Sequence, residues 1–234
     1  DEIGATGWGL SHVTDVALEF CDFNIKGARV VIQGFGAVGK HTALFLRDKG
    51  AILVATADTQ GAVYNADGLD IDALIELKEQ GKSVTEYSGG KTLDGDALID
   101  IACDIWIPAA RPDVIHDDNV GRLNTRLVVE GANIPITHSA EKTLHEKGIL
   151  VVPDFIANAG GVICAAMEYR GSNKTAAFET IEEKVRRNTQ MVLDRMKQEG
   201  VLPRHATMDL ATERVKKAMS FRRFSLFSTA PGFI

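Results

Sequence analysis

Five short, nearly unbroken apolar runs punctuate the chain, at 29–33, 52–57, 104–108, 127–130 and 149–152. None alternates apolar with polar residues, which is the pattern of strands covered on both faces. Between them lie helical patterns at 38–49, 70–80 and 137–147, each followed by a glycine (Gly50, Gly81, Gly148). A glycine in that place ends a helix because it takes left-handed backbone without a steric penalty. Thr137 stands where a cap for the last of these helices belongs. Residues 6–20 read as a helix ahead of the first strand. From 175 to 200, Ile181, Val185, Val192 and Met196 recur at helical spacing among charges, and a further helix from 208 to 219 follows a break at Pro203. Alternating strands and helices predict an α/β fold, a doubly wound parallel sheet with flanking helices at both ends. The expectation is one domain over 1–234, with a leading helix in 1–20, C-terminal helices in 175–220 and an unassigned tail at 221–234.

The first strand runs into Gly34-Phe35-Gly36-Ala37-Val38-Gly39, a G-x-G-x-x-G loop at the head of a helix. Gly34 permits the tight turn, Gly36 lets backbone approach a pyrophosphate, and Gly39 lets the helix pack closely on the strand. The free N–H groups at the helix start then bind phosphate, helped by the helix dipole. Asp58 ends the second strand, 19 residues past Gly39. A carboxylate there can accept from both ribose hydroxyls of an adenosine and repel a 2′-phosphate, which favours NAD while leaving NADP possible. The sheet is therefore expected to be Rossmann-like.

Composition narrows the partners. The chain has 234 residues, 45% hydrophobic and 25% charged, at globular averages, so disorder, collagen and coiled coil are excluded. A net charge of −6 argues against nucleic acid and anionic membrane. The basic stretch at 174–223, with 12 Lys/Arg against 7 Asp/Glu, reads as a solvated helical face. Three cysteines without a C-x-x-C pair imply a reducing, cytoplasmic setting. No apolar run approaches the ~20 residues of a membrane span. Six scattered histidines offer no zinc spacing. The chain opens on Asp1 in a glycine-rich stretch, as expected of a processed protein or a piece of a longer one.

Five motifs occur together and in order: Gly4-Ala5-Thr6-Gly7-Trp8-Gly9, the glycine loop, Ile107-Pro108-Ala109-Ala110, Glu130-Gly131-Ala132-Asn133, and Pro153-Asp154-Phe155-Ile156-Ala157-Asn158-Ala159-Gly160-Gly161-Val162. Over about residues 1–200 this set resembles the C-terminal NAD(P)-binding domain of the glutamate/leucine/phenylalanine/valine dehydrogenases, most closely the glutamate members. The resemblance implies an oxidoreductase that reversibly deaminates an L-amino acid, glutamate favoured, to a 2-oxo acid and ammonia. It implies that Thr6 and Asn133 bond the nicotinamide carboxamide, that the backbone of Ala109 lies along the cofactor, and that Asn158 sits by the nicotinamide ribose and substrate. Residues 34–39, Asp58, Thr59 and Ala110 complete the expected cofactor contacts, with Val162 and Ala165 lining the substrate. Ala165 stands where glutamate enzymes carry a serine for the γ-carboxylate, whereas Gly131–Pro135 leans toward the glutamate branch.

The family's catalytic lysine and aspartate lie in a separate N-terminal domain that no part of this sequence matches. Lys40 and Lys49, after the glycine loop, read as solvated surface. The expectation is a chain that binds dinucleotide, makes no turnover alone, and forms homo-oligomers as part of a full-length enzyme. A non-catalytic dinucleotide sensor or regulatory module is the alternative.

Overall fold

The structure is a computed structural model that describes residues 3–221. Along it run α1 (Ala5–Leu18), β1 (Arg29–Gln33), α2 (Ala37–Asp48), β2 (Ile52–Asp58), β3 (Gly61–Tyr64), α3 (Ile71–Glu79), β4 (Lys91–Leu93), β5 (Ile105–Pro108), β6 (Leu127–Val129), α4 (His138–Glu146), β7 (Leu150–Val152), α5 (Asp154–Ala157), α6 (Gly160–Tyr169), α7 (Lys174–Glu199) and α8 (Pro203–Ser220). Short 3-10 turns link several of them. The strands form one seven-stranded sheet in the order β4-β3-β2-β1-β5-β6-β7. β1 is its centre: Val30, Val31 and Ile32 are fully covered, as an apolar run without alternation requires. β2, β1, β5, β6 and β7 pair in parallel. These are the five expected strands, each within two residues of its predicted bounds, in the expected doubly wound arrangement with helices at both ends.

The sheet is not parallel throughout. β3 pairs antiparallel with β2, and β4 antiparallel with β3. The chain reverses immediately after Asp58, whose Oδ1 accepts from the Gln60 N–H at 3.0 Å. Each added strand is short, and Lys91 and Thr92 at the outer edge are exposed, which suits an edge that must not pair further. At the other end of the chain, the expected break between helices falls at 201–202, and the last helix begins earlier than 208, at Pro203. Pro203 opens α8 as its first residue, where a fixed φ and a missing N–H do no harm. Asp70 and Thr137 cap α3 and α4 by accepting from Ala73 and Ala140 N–H groups. Residues 222–234 of the unassigned tail lie outside the described residues. No helix among the described residues is long and apolar enough to cross a membrane.

α1 is buried along most of its length, and its glycines explain how. A Cβ at Gly7 would lie 2.7 Å from the Thr42 backbone nitrogen, and one at Gly9 would lie 3.3 Å from Gly160 Cα. The glycine-rich opening thus lets α1 lie directly on α2 and α6. Trp8 locks the arrangement by donating its indole N–H to the Phe178 carbonyl at 3.1 Å.

Lys49 departs from its expected place on the solvated surface. Its ammonium donates to Asp15 at 2.6 Å and to the Ser11 carbonyl at 3.0 Å, tying the end of α2 to α1. Beside it, burial and then the Lys49 charge push the His12 imidazole down from 6.5 to about 4. Between those values the unfolded chain takes up a proton that the folded chain refuses, so stability falls as pH drops through that window. Urea midpoints at pH 7 and pH 5 are expected to fall less between the two conditions for His12→Gln than for the wild type. An equal fall in both would remove His12 as the acid-sensitive group.

Candidate functional site

β1 is the point where the order of the sheet reverses, with β2 on one side and β5 on the other. In such sheets a crevice opens outside the carboxyl ends of the strands. Gly34 follows β1 with φ 104°, and Gly36 caps α2 in extended backbone (φ −88°, ψ −159°). A Cβ on Gly39 would overlap the Gly34 carbonyl oxygen, whereas one on Gly36 would meet nothing within 4 Å. The loop therefore pairs the closest helix–strand approach with open space ahead of the first turn of α2. Open space ahead of free helix-start N–H groups suits an anionic group. Phe35 is 2% exposed and packs into the core, so it meets the crevice mainly through its backbone.

Most of the predicted residues line a continuous groove; Ala37 and Gly39 are not in its lining. One stretch carries Gly34, Phe35, Gly36, Asp58, Thr59 and Ala110. Ala109 and Ala110 are shared with the next stretch, which carries Thr6, Val38, Asn133, Asn158 and Val162. Ala109 is positioned by donating its N–H to the Gln33 carbonyl at 2.7 Å, which joins the ends of β5 and β1. Thr6 lies close against Gly161, where a Cβ would come within 2.8 Å of Oγ1. Asn133 and Asn158 meet directly: Asn158 Nδ2 donates to Asn133 Oδ1 at 2.7 Å. Val162 is 76% exposed at this end. Ala165 stands apart, in an adjoining cavity with Ile3, Cys164, Glu168 and Lys174 that touches the groove through Gly161.

Asp58 is held more firmly than its position alone indicates. Oδ1 accepts from Gln60 N–H at 3.0 Å and Ser83 Oγ at 2.9 Å, and Oδ2 from Lys78 Nζ at 2.8 Å and Val84 N–H at 3.0 Å. Burial alone would raise this carboxyl, but Lys78 and the other three donors outweigh it and hold it below the usual carboxylate range. Sequence reasoning missed Lys78 and Ser83. The capping box Ser83-Val84-Thr85-Glu86 was a legible sign of a fixed turn there.

A second group of residues that sequence reasoning missed lies beneath the two asparagines. Arg204 of α8 donates to Glu141 at 2.6 Å, to Glu130 at 2.9 Å and to Asp154 at 3.1 Å. The Glu130 side chain is 0% exposed. Burial pushes its carboxyl up to about 8, opposed by Arg204 and reinforced by Asp154 and Glu141. One guanidinium does not offset the burial of Glu130, which holds its proton more readily than a free carboxyl. Beside this cluster Ile134 adopts φ 48°. Left-handed backbone at a β-branched residue is strained by about 1–3 kcal/mol.

The comparisons with known proteins agree with this fold. The model of the Glutamate/Leucine/Phenylalanine/Valine dehydrogenase family matches residues 1–223. The chain is 36% identical over 230 residues to a glutamate dehydrogenase of Aeropyrum pernix, covering 94% of this chain and 55% of that protein. It is likewise 36% identical over 231 residues to an NADP-specific glutamate dehydrogenase of Saccharolobus shibatae, covering 93% of this chain and 53% of that one. Among solved structures, the Leu-bound hetero-hexameric glutamate dehydrogenase of Thermus thermophilus superposes with a TM-score of 0.85 at 27% identity, over 95% of this chain and 54% of that chain. The chain spans about half the length of the curated relatives it matches.

Proposed function

The chain belongs to the glutamate/leucine/phenylalanine/valine dehydrogenase family, and on that footing we propose that it forms, as one domain, the nicotinamide-dinucleotide-binding part of a glutamate-type amino-acid dehydrogenase. The observation that carries this reading is the groove itself: an open cradle at Gly36, at the reversal point of the sheet, leading to Thr6, Asn133 and Asn158. A nicotinamide held at this end would supply the acceptor for the hydride of the amino acid's α-carbon. The N–H groups at the start of α2 bind the pyrophosphate. Thr6 and Asn133 orient the carboxamide, so that one face of the ring meets the substrate. Asn158 steadies Asn133 and faces the nicotinamide ribose, and Val162 borders the amino-acid side chain.

The residues lining the nicotinamide end include no lysine, histidine or carboxylate. Deamination needs a general base within hydrogen-bond reach of the substrate. In this reading the base comes from the other part of the enzyme, and these residues bind dinucleotide without turning over an amino acid. Calorimetry with NADH tests the reading. Saturable one-site binding supports it, and no binding overturns it. Glutamate-dependent reduction of NAD by the chain alone overturns the division of labour.

Asp58 also bears on the choice of dinucleotide. With Lys78 and three other donors on its oxygens, it does not confront a 2′-phosphate as an isolated anion. NADP is therefore admitted beside NAD. Lys78→Gln unmasks the carboxylate, and the affinity for NADPH relative to NADH is expected to fall roughly tenfold, about 1.4 kcal/mol. An unchanged ratio by calorimetry would exclude Lys78 from the selection.

A further inference from the structure

We propose that Arg204 is a positioning residue for the nicotinamide end of the groove, an inference that rests on the dinucleotide reading given above. Its guanidinium faces three carboxylates from three separate elements. Glu130 follows β6, Glu141 lies in α4 and Asp154 opens α5; their side chains are 0%, 1% and 9% exposed. Such a cluster is a poor way to gain stability, because well-packed apolar side chains would serve as well or better. What it does gain is a fixed geometry at two loops.

The bonds run outward from Arg204 to both asparagines. Glu130 Oε2 accepts from the Asp154 N–H at 2.8 Å. Asp154 Oδ2 accepts from the Ile134 N–H at 2.8 Å, next to Asn133. The Asp154 carbonyl accepts from the Asn158 N–H at 2.7 Å. Asn158 then bonds Asn133 side chain to side chain. Arg204 thus reaches Asn133 through the Asp154 carboxylate and Asn158 through the Asp154 backbone.

Ile134 strengthens the argument. Its backbone is left-handed, yet its side chain is 61% exposed, so burial does not offset the strain. What holds it is its backbone: the N–H to Asp154, and the carbonyl, which accepts from the Asp113 N–H at 3.0 Å. Asp113 is the other non-glycine residue with positive φ among the described residues. Strain over-determined by its surroundings is a sign of a loop held in one conformation for use. The ionic cluster supplies that hold from below.

The test compares Arg204→Met and Arg204→Lys with the wild-type chain. NADH reports the whole groove, and ADP, which lacks both the nicotinamide and its ribose, reports the adenosine and pyrophosphate end alone. Arg204→Met is expected to weaken NADH binding about tenfold, as loss of one or two well-placed hydrogen bonds does, and to leave ADP binding unchanged. Arg204→Lys keeps the charge but cannot span three carboxylates; it should restore part of the NADH affinity, and it carries the test if the methionine variant does not fold. The side-chain amide resonances of Asn133 and Asn158 in the ligand-free chain are expected to shift in both variants. Unmoved resonances, or equal losses for NADH and ADP, overturn the positioning role. A wild-type chain that binds neither probe overturns the dinucleotide reading instead, and the amide resonances still decide whether Arg204 holds the two asparagines.

Discussion

Gly36→Val is expected to weaken NADH binding severely while costing the fold no more than about 1 kcal/mol, as a poorer cap for α2. The backbone at Gly36, with φ −88° and ψ −159°, is extended and open to a β-branched residue. A Cβ there meets nothing within 4 Å, so the added methyls strain no neighbour. The space they fill lies ahead of the first turn of α2, where the free N–H groups point. An overpacking clash is worth about 1–3 kcal/mol, which corresponds to a loss of affinity of roughly fivefold to 150-fold. Fluorescence titration with NADH read beside a thermal melt separates the two effects. Undiminished binding by the valine variant would mean that no phosphate approaches Gly36.

Features that rest on local constraint were legible in the sequence. A strand buried on both faces must be apolar throughout, so 29–33, 52–57 and 127–130 announced themselves. The glycine loop was equally plain, because no other residue fits at Gly34 or Gly39. β3 and β4 were not legible. They are short, one of them is an edge with polar side chains, and the turn at Thr59-Gln60 carries no Asn-Gly or Asp-Gly signature.

The site divides along the same line. Asn133 and Asn158 could be named from their motifs, but not the bond that joins them across 25 residues. Arg204 lies 74 residues from Glu130, inside a basic stretch that reads as ordinary solvated helix. Lys49 was misjudged for a related reason: exposure is the default for lysine, and only the packing of α1 on α2 brings Asp15, 34 residues away, under its ammonium. What stayed hidden was the pairing of charges that tertiary contact alone brings together.

Gly39→Ala should give the opposite phenotype from the same motif. A Cβ at Gly39 overlaps the Gly34 carbonyl oxygen and lies 3.2 Å from Ile32 Cγ2. Neither neighbour can yield easily. Gly34 is fixed by φ 104° and by donating its N–H to the Ala57 carbonyl at 3.1 Å, and Ile32 sits in the central strand between β2 and β5. Relief therefore requires α2 to lift off β1, which opens the apolar layer around Ala43 and Leu46. The upper range of overpacking, about 3 kcal/mol, is the expected loss. For a domain of this size that lowers the thermal midpoint by roughly 6–12 °C. Because the helix start moves with the helix, NADH binding falls as well, but through displacement of the N–H groups and in step with the loss of stability. If Gly39→Ala melts with the wild type, the helix stands farther from the strand than the structure places it. If Gly36→Val melts as early as Gly39→Ala, the two glycines share a folding role and the open cradle loses its support.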